Sequence, residues 1–149
     1  GYVCGSGATS PTEVVCGGHG DMFCPEGSST ASKVAPTHAV AGNNETTSEQ
    51  VEADPSLTST RSAERLCEPG FWCEAGFRYP CEAGTYGSDF GATRGNCSGF
   101  CEAGFICRNG SVSPEENPCG DSSVYCPGGN SEPVKVSVGY YSVGGSGPT

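Results

Sequence analysis

The chain has 149 residues, of which 24 are glycine, 11 are proline and 11 are cysteine, and only 34% are hydrophobic. This composition excludes one large apolar core, so small units must depend on covalent staples. The formal net charge of −10 argues against nucleic acid and anionic membrane surfaces as partners, because both carry charge of the same sign. No stretch is apolar enough to span a bilayer.

The chain opens with a segment that recurs near its end. Residues 1–47 align with residues 104–149 with one residue of slippage, so the period is about 102 residues. A fixed period is the signature of an array of stacked units. The matched cysteines are Cys4 and Cys107, Cys16 and Cys119, and Cys24 and Cys126.

The composition divides the chain into three segments. Residues 1–42 are predicted to be the C-terminal part of a cysteine-rich repeat, and residues 43–66 a Ser/Thr/Glu-rich linker. Residues 67–149 are predicted to be a cysteine-rich repeat, with four-cysteine halves at 67–97 and 101–126 and a Gly/Tyr-rich tail. Because the chain begins and ends within a repeat, we expect it to belong to a longer array.

Secondary structure is expected to be sparse. The predicted fold class is small and disulfide-rich, mostly coil with short β-hairpins, in an elongated tandem-repeat rod. Short strands or hairpins are expected at Thr85–Tyr86, Val124–Tyr125 and Val134–Tyr141, the last because its residues alternate between apolar and polar. A helical turn is expected at Ser48–Ala53.

The phrase Cys-x-x-Gly-aromatic occurs in both halves of the repeat. Glycine permits a positive-φ turn after the cysteine, and the aromatic residue is then expected to cover the neighbouring disulfide. The aromatic residues predicted to form such small cores are Tyr2, Phe23, Phe71, Phe105 and Tyr125.

All the cysteines but one are predicted to form disulfides within the chain. If each half pairs first with third and second with fourth, the bonds are Cys67–Cys81, Cys73–Cys97, Cys101–Cys119, Cys107–Cys126 and Cys4–Cys24. Cys16 then pairs outside the segment. Sequence does not fix connectivity, and a rival scheme joins Cys81 to Cys97 and Cys67 to Cys73.

Three Asn-x-Ser/Thr sequons begin at Asn44, Asn96 and Asn109. Together with the cysteines, they predict N-glycosylation and a secreted or cell-surface location. A secreted protein needs a leader peptide, so we expect this sequence to be a mature product or a piece of a longer one.

Residues that could carry catalysis or bind metal are scarce. The chain has two histidines, His19 and His38, and the second copy of the repeat retains neither. Cys16, His19 and Cys24 could in principle hold a metal, but the second copy keeps the cysteines without the histidine. We therefore expect no catalytic residue, no metal, no cofactor and no enzyme activity.

Two phrases resemble a known family. Cys81–Gly87, with a cysteine about sixteen residues after Cys81, and the pattern Cys-x-x-Gly-Phe-x-Cys are similar to the ephrin-receptor-type cysteine-rich repeat, a relative of tumour-necrosis-factor-receptor modules. The run Val136–Gly145 resembles tandem repeats in very large extracellular proteins of algae and water moulds. The resemblance implies an elongated disulfide ladder without catalytic residues.

The preferred hypothesis is therefore a structural extracellular glycoprotein, built by end-to-end stacking into a fibre or cell-surface appendage. Its expected partners are copies of itself or adjacent repeats, with covalent glycans. The alternative is a receptor-like or adhesive binding module of a large surface protein.

Overall fold

The fold is a series of short hairpins. A computed structural model describes residues 2–12, 14–16, 21–41 and 61–143. Within these ranges the chain forms fourteen strands and no helix, which confirms the predicted disulfide-rich, mostly coil fold with β-hairpins. The strands are β1 (Tyr2–Val3), β2 (Val14–Val15), β3 (Met22–Phe23), β4 (Ser32–Lys33), β5 (His38–Ala41), β6 (Ala63–Leu66), β7 (Phe71–Glu74), β8 (Phe77–Pro80), β9 (Thr85–Tyr86), β10 (Gly99–Phe100), β11 (Phe105–Ile106), β12 (Asn117–Pro118), β13 (Val124–Tyr125) and β14 (Val134–Lys135).

Each of these strands pairs with its neighbour in the sequence, from β1 with β2 to β13 with β14. The predicted strands at Thr85–Tyr86 and Val124–Tyr125 are confirmed. The predicted strand at Val134–Tyr141 is wrong beyond Lys135, because Gly139 has a φ of 87° and a turn follows β14. The expected helical turn at Ser48–Ala53 lies outside the described residues.

Two compact units make up the chain. The first comprises Gly1–Cys67 with Cys73–Tyr79, and the second comprises Glu68–Trp72 with Pro80–Thr149. Cysteines dominate the buried residues of both, so disulfides take the place of an aliphatic core. The buried side chains of the first unit are Cys16, Cys24, Val34, Ala39, Arg61, Cys67 and Cys73; those of the second are Cys81, Thr85, Cys101, Ile106, Cys107, Ser111 and Cys126.

The sequence repeat is also a structural repeat. The strand register Tyr2↔Val15 recurs as Phe105↔Pro118, and Met22↔Lys33 recurs as Val124↔Lys135. A hydrogen bond from Val34 N–H to Asp21 O, 2.8 Å long, recurs as one of 2.9 Å from Val136 to Ser123. Equivalent residues therefore make equivalent backbone contacts in both copies.

The predicted linker ends earlier than residue 66. β6 pairs antiparallel with β5, from His38↔Leu66 to Ala41↔Ala63. The Ala35 N–H also donates to Glu64 Oε2 at 2.8 Å. The linker prediction is therefore wrong for Ala63–Leu66. These residues form a strand, and Glu64, a polar residue expected to face solvent, accepts a specific hydrogen bond.

The aromatic residues predicted to form small cores behave unequally. Tyr2, Phe23, Phe71 and Phe105 are half-buried, whereas 45% of Tyr125 is exposed. The small-core prediction is thus wrong for Tyr125, which borders an open groove instead of covering a disulfide.

Glu-Ala-Gly occurs three times and forms two kinds of turn. Ala75 and Gly76, between β7 and β8, both have positive φ, at 50° and 86°. This is the two-residue hairpin turn that favours Asn-Gly. In the other two occurrences Ala83 and Ala103 lie outside the positive-φ set, and only Gly84 and Gly104 adopt that conformation, with φ values of 88° and 90°.

Replacing Ala75 with asparagine is therefore expected to stabilise the protein. Asparagine tolerates the left-handed region, in which alanine is strained by about 1 kcal/mol, so Ala75→Asn should raise the free energy of unfolding by up to that amount. Denaturant titration measures the change. Ala83→Asn is the matched control and should give no gain; an equal gain from both variants would contradict the assignment.

Candidate functional site: a repeated backbone junction

Three turns with the same sequence pattern recur in the second unit. Each turn closes with a hydrogen bond from the fourth residue to the glutamate carbonyl, and each has glycine at the third position. The turns are Glu68–Phe71 (3.1 Å), Glu82–Thr85 (3.0 Å) and Glu102–Phe105 (3.1 Å). The junction glycines, as we call Gly70, Gly84 and Gly104, have φ values of 85°, 88° and 90°, which favour glycine.

The junction glycines use both of their backbone groups to hold the next hairpin. Each carbonyl accepts the N–H of a cysteine further along the chain: Gly70 from Cys81 (2.8 Å), Gly84 from Cys101 (3.1 Å) and Gly104 from Cys119 (2.9 Å). Each N–H donates to a later carbonyl: Gly70 to Gly87 (2.8 Å), Gly84 to Cys107 (2.9 Å) and Gly104 to Cys126 (2.8 Å). The same junction is thus made three times.

A second set of turns donates backbone hydrogen bonds to cysteines earlier in the chain. Gly110 and Gly129 also have positive φ, at 79° and 80°. The Gly110 N–H donates to Cys81 O, and the Gly129 N–H donates to Cys101 O, both at 2.9 Å. Adjacent hairpins are therefore joined in both directions.

The junction leaves no room for a side chain. A Cβ built on Gly70 would lie 2.5 Å from Gly110 O and 3.2 Å from Val112 Cγ1, and one built on Gly84 would collide with Gly129 O. Glycine is required there by close backbone approach as well as by φ.

The disulfides differ from the preferred prediction. The observed bonds are Cys16–Cys24, Cys67–Cys73, Cys81–Cys97, Cys101–Cys107 and Cys119–Cys126. The predicted bonds Cys4–Cys24, Cys67–Cys81, Cys73–Cys97, Cys101–Cys119 and Cys107–Cys126 are therefore wrong. The rival scheme, with Cys81–Cys97 and Cys67–Cys73, is confirmed for the first half of the repeat.

The physical reason for this pairing is the tight turn within each Cys-x5-Cys segment. The turn Glu102–Phe105 reverses the chain and leaves the Cα atoms of Cys101 and Cys107 6.0 Å apart, within disulfide reach. The β13–β14 region then brings Cys119 and Cys126 to a Cα separation of 5.7 Å. Each observed bond thus joins two cysteines that follow one another in the sequence.

The odd cysteine is Cys4, and not Cys16. Cys16 bonds Cys24, as its counterpart Cys119 bonds Cys126. Cys4 is the free cysteine and is half-buried. Its counterpart Cys107 bonds Cys101, a residue that has no equivalent within residues 1–149.

Two of the three predicted glycosylation sites lie in the described ranges. Asn96 and Asn109 are both exposed and sit in turns, and Asn109 borders an open recess of about 610 Å³. The hydroxyl residue of the second sequon, Ser98, donates to Asp89 Oδ2 at 2.8 Å. Asn44 lies outside the described residues.

The residues considered for metal binding do not combine into a site. Because Cys16 and Cys24 are bonded to each other, neither offers a thiolate. His38 Nδ1 lies 3.0 Å from Thr37 Oγ1, and His19 lies outside the described ranges. Over those ranges, no three His, Cys, Asp or Glu side chains are grouped closely enough to hold a metal ion.

Arg61 is only 1% exposed, and its burial is not predicted by the sequence. Burial lowers the pKa of its guanidinium, and the charge of Asp21 raises it. The Arg61 carbonyl accepts the Cys24 N–H at 2.9 Å. Residues 61–66 show no apolar pattern. The only sequence signal for a strand pair is the apolar run Ala39–Ala41, for which no pairing strand is predicted.

No family model, curated protein or solved structure matches this chain. Within the described residues, no helix is long and apolar enough to cross a membrane.

Non-reducing peptide mapping tests the disulfide assignment. The expected result is five linked peptide pairs, each joining cysteines adjacent in the sequence. Alkylation of the oxidised protein should label one thiol, on Cys4, because the other ten cysteines are bonded. A Cys101–Cys119 link, or label on Cys16, would contradict the assignment.

Substitution of a junction glycine tests the close approach. Gly70→Ala is expected to lower the free energy of unfolding by about 2–5 kcal/mol, because a left-handed alanine costs about 1–2 kcal/mol and overpacking adds about 1–3 kcal/mol. Gly139→Ala is the matched control, with a φ of 87° and no atom within 4 Å of its Cβ. Equal losses in the two variants, measured by denaturant titration, would show that the junction tolerates a side chain.

Proposed function

We propose that this chain is a structural extracellular glycoprotein, a repeat segment of a fibre or cell-surface appendage built by end-to-end stacking. The observation that carries the proposal is the junction made three times by Gly70, Gly84 and Gly104. In a stacked array each unit contacts chiefly its neighbours. Because the junction is made by backbone groups, it can recur in hairpins that have different side chains.

The energetics of the hairpins also support a structural role. With so few apolar side chains buried, the hairpins depend on the five disulfides. A bridge closing a loop of about fifteen residues contributes around 3 kcal/mol, and Cys81–Cys97 spans 16 residues. Stability is therefore distributed along the chain, as a filament under tension requires.

The five disulfides and the exposed sequons support the extracellular part of the proposal. Disulfides persist in oxidising compartments, and a glycan on Asn109 would face solvent beside the junction without entering it. The resemblance to ephrin-receptor-type repeats fits the same role, which needs no catalytic residue or cofactor.

Electron microscopy of the native material tests the proposal. The expected result is regular fibres or rods assembled from many repeats, which dissociate or unfold on reduction. Strictly monomeric particles that bind a soluble ligand saturably would overturn it in favour of the receptor-like or adhesive module.

Glycosylation is tested by secretion from eukaryotic cells. The intact mass should fall on glycosidase treatment, and Asn109→Gln should remove one glycan, because the exposed turn is accessible to the transferase. Asn130→Gln is the control, since Asn130 lies near the equivalent turn but begins no sequon. An intact mass unchanged by glycosidase would refute the prediction.

A further inference from the structure

The tail of the second copy lacks a strand that the first copy has. Tyr140–Val143 is equivalent to β5, His38–Ala41, at an offset of 102 residues. The preceding turn is the same in both, with N–H to carbonyl bonds from His38 to Ala35 (2.9 Å) and from Tyr140 to Ser137 (3.1 Å). β5 pairs with β6, whereas Tyr140–Val143 pairs with no strand of the described residues.

The side chains around this unpaired segment are exposed where their counterparts are covered. Val34 and Ala39 of the first copy are 7% and 8% exposed. In the second copy, Tyr141 stands at the position of Ala39 and is 85% exposed. A groove of about 310 Å³ runs beside the segment, lined by Tyr125, Val136, Ser137, Tyr140, Tyr141 and Ser142. We call this surface the tail groove.

Three polar groups of the first copy bind the segment Arg61–Cys67. Cys24 N–H donates to Arg61 O at 2.9 Å, Ala35 N–H donates to Glu64 Oε2 at 2.8 Å, and Thr37 O accepts Cys67 N–H at 3.0 Å. The equivalent groups of the second copy are Cys126 N–H, Ser137 N–H and Gly139 O. None of these three has a hydrogen-bond partner among the described residues.

We propose that the tail groove binds the opening strand of the adjacent repeat in an array, a segment of the Arg61–Cys67 type, by antiparallel pairing with Tyr140–Val143. The first copy shows what covers this surface: a four-residue strand that also supplies one carbonyl, one carboxylate and one N–H. In the first copy that strand, β6, lies directly before the repeat that begins at Cys67, so the equivalent occupant of the tail groove is the strand that opens the repeat next to residues 67–149.

The charge near the groove matches such an occupant. Asp21 faces the arginine electrostatically in the first copy. In the second copy the equivalent of Asp21 is Ser123, whose N–H and hydroxyl donate to Asp121 Oδ1 at 2.8 and 2.6 Å, so a carboxylate contacts that position, and the Ser142 hydroxyl of the tail donates to the neighbouring Ser122 O at 2.7 Å. Hydrogen bonds from the Ser123 hydroxyl and N–H lower the pKa of Asp121, so its carboxylate is ionised at neutral pH and attracts a guanidinium.

This inference rests on the proposed function and names the contact by which units would join end to end. Main-chain pairing would give affinity, and the apolar tail residues would be covered as Val34 and Ala39 are. The large tyrosines at positions 140 and 141, in place of His38 and Ala39, supply contact area to an incoming strand.

A peptide with the sequence of residues 61–68, carrying Cys67→Ser, tests the proposal on the full 149-residue chain. The expected result is saturable binding with about tenfold slower amide exchange at Tyr140–Val143, since paired amides are protected. A scrambled peptide should give no protection. Asp121→Asn should weaken binding severalfold and make it insensitive to Arg61→Gln in the peptide, whereas Glu115→Gln, an exposed carboxylate elsewhere, should not.

A variant with the strand covalently attached shows whether the strand fits the tail groove even if the free peptide binds weakly. Residues 42–80 are appended after Thr149, and exchange at Tyr140–Val143 is measured again. Protection in the tethered form alone would support pairing with an adjacent repeat at high effective concentration, and protection in neither form would overturn the proposal. Peptide binding in material that forms no fibres would sink the proposed function and leave the groove standing.

Discussion

The structure depends on one constraint, the close approach of glycine backbones in the left-handed conformation. Gly70 and Gly84 are buried; the carbonyl of each accepts the N–H of a cysteine further along the chain, and the N–H of each donates to a later carbonyl. A Cβ would collide with the opposing glycine carbonyl. Because these contacts involve only main-chain atoms, the side chains around them can vary while the hairpins keep their arrangement.

The disulfides stabilise the hairpins that the glycine turns form. The turn Glu102–Phe105 brings Cys101 and Cys107 within bonding distance, and the bonded sulfurs then form the buried centre of the hairpin. The bonded cysteines thus supply small local cores, and Arg61 shows that even a charged side chain can be buried in this fold. The arrangement needs few large apolar residues, which agrees with a composition rich in glycine and proline.

Sequence predicted the features that repeat and missed those that depend on distant pairing. The matched cysteines and the Cys-x-x-Gly turns indicated hairpins, and the equal registers at Tyr2 and Phe105 confirm them. The disulfide pairing failed because spacing does not show that a turn folds Cys101 back onto Cys107. The β5–β6 pair was missed because Ala63–Leu66 lacks an alternating pattern, and its hydrogen bond from Ala35 to Glu64 spans 29 residues.

The local closure of the disulfides has a mechanical consequence. Every bond joins cysteines adjacent in the sequence, and the longest loop, between Cys81 and Cys97, spans 16 residues. A chain pulled from both ends can lose its hairpins, but the residues inside a loop closed by a disulfide cannot extend. At roughly 3.4 Å per extended residue, that loop alone withholds about 50 Å of contour length. Oxidation therefore sets the maximum extension of the chain, and reduction lengthens it.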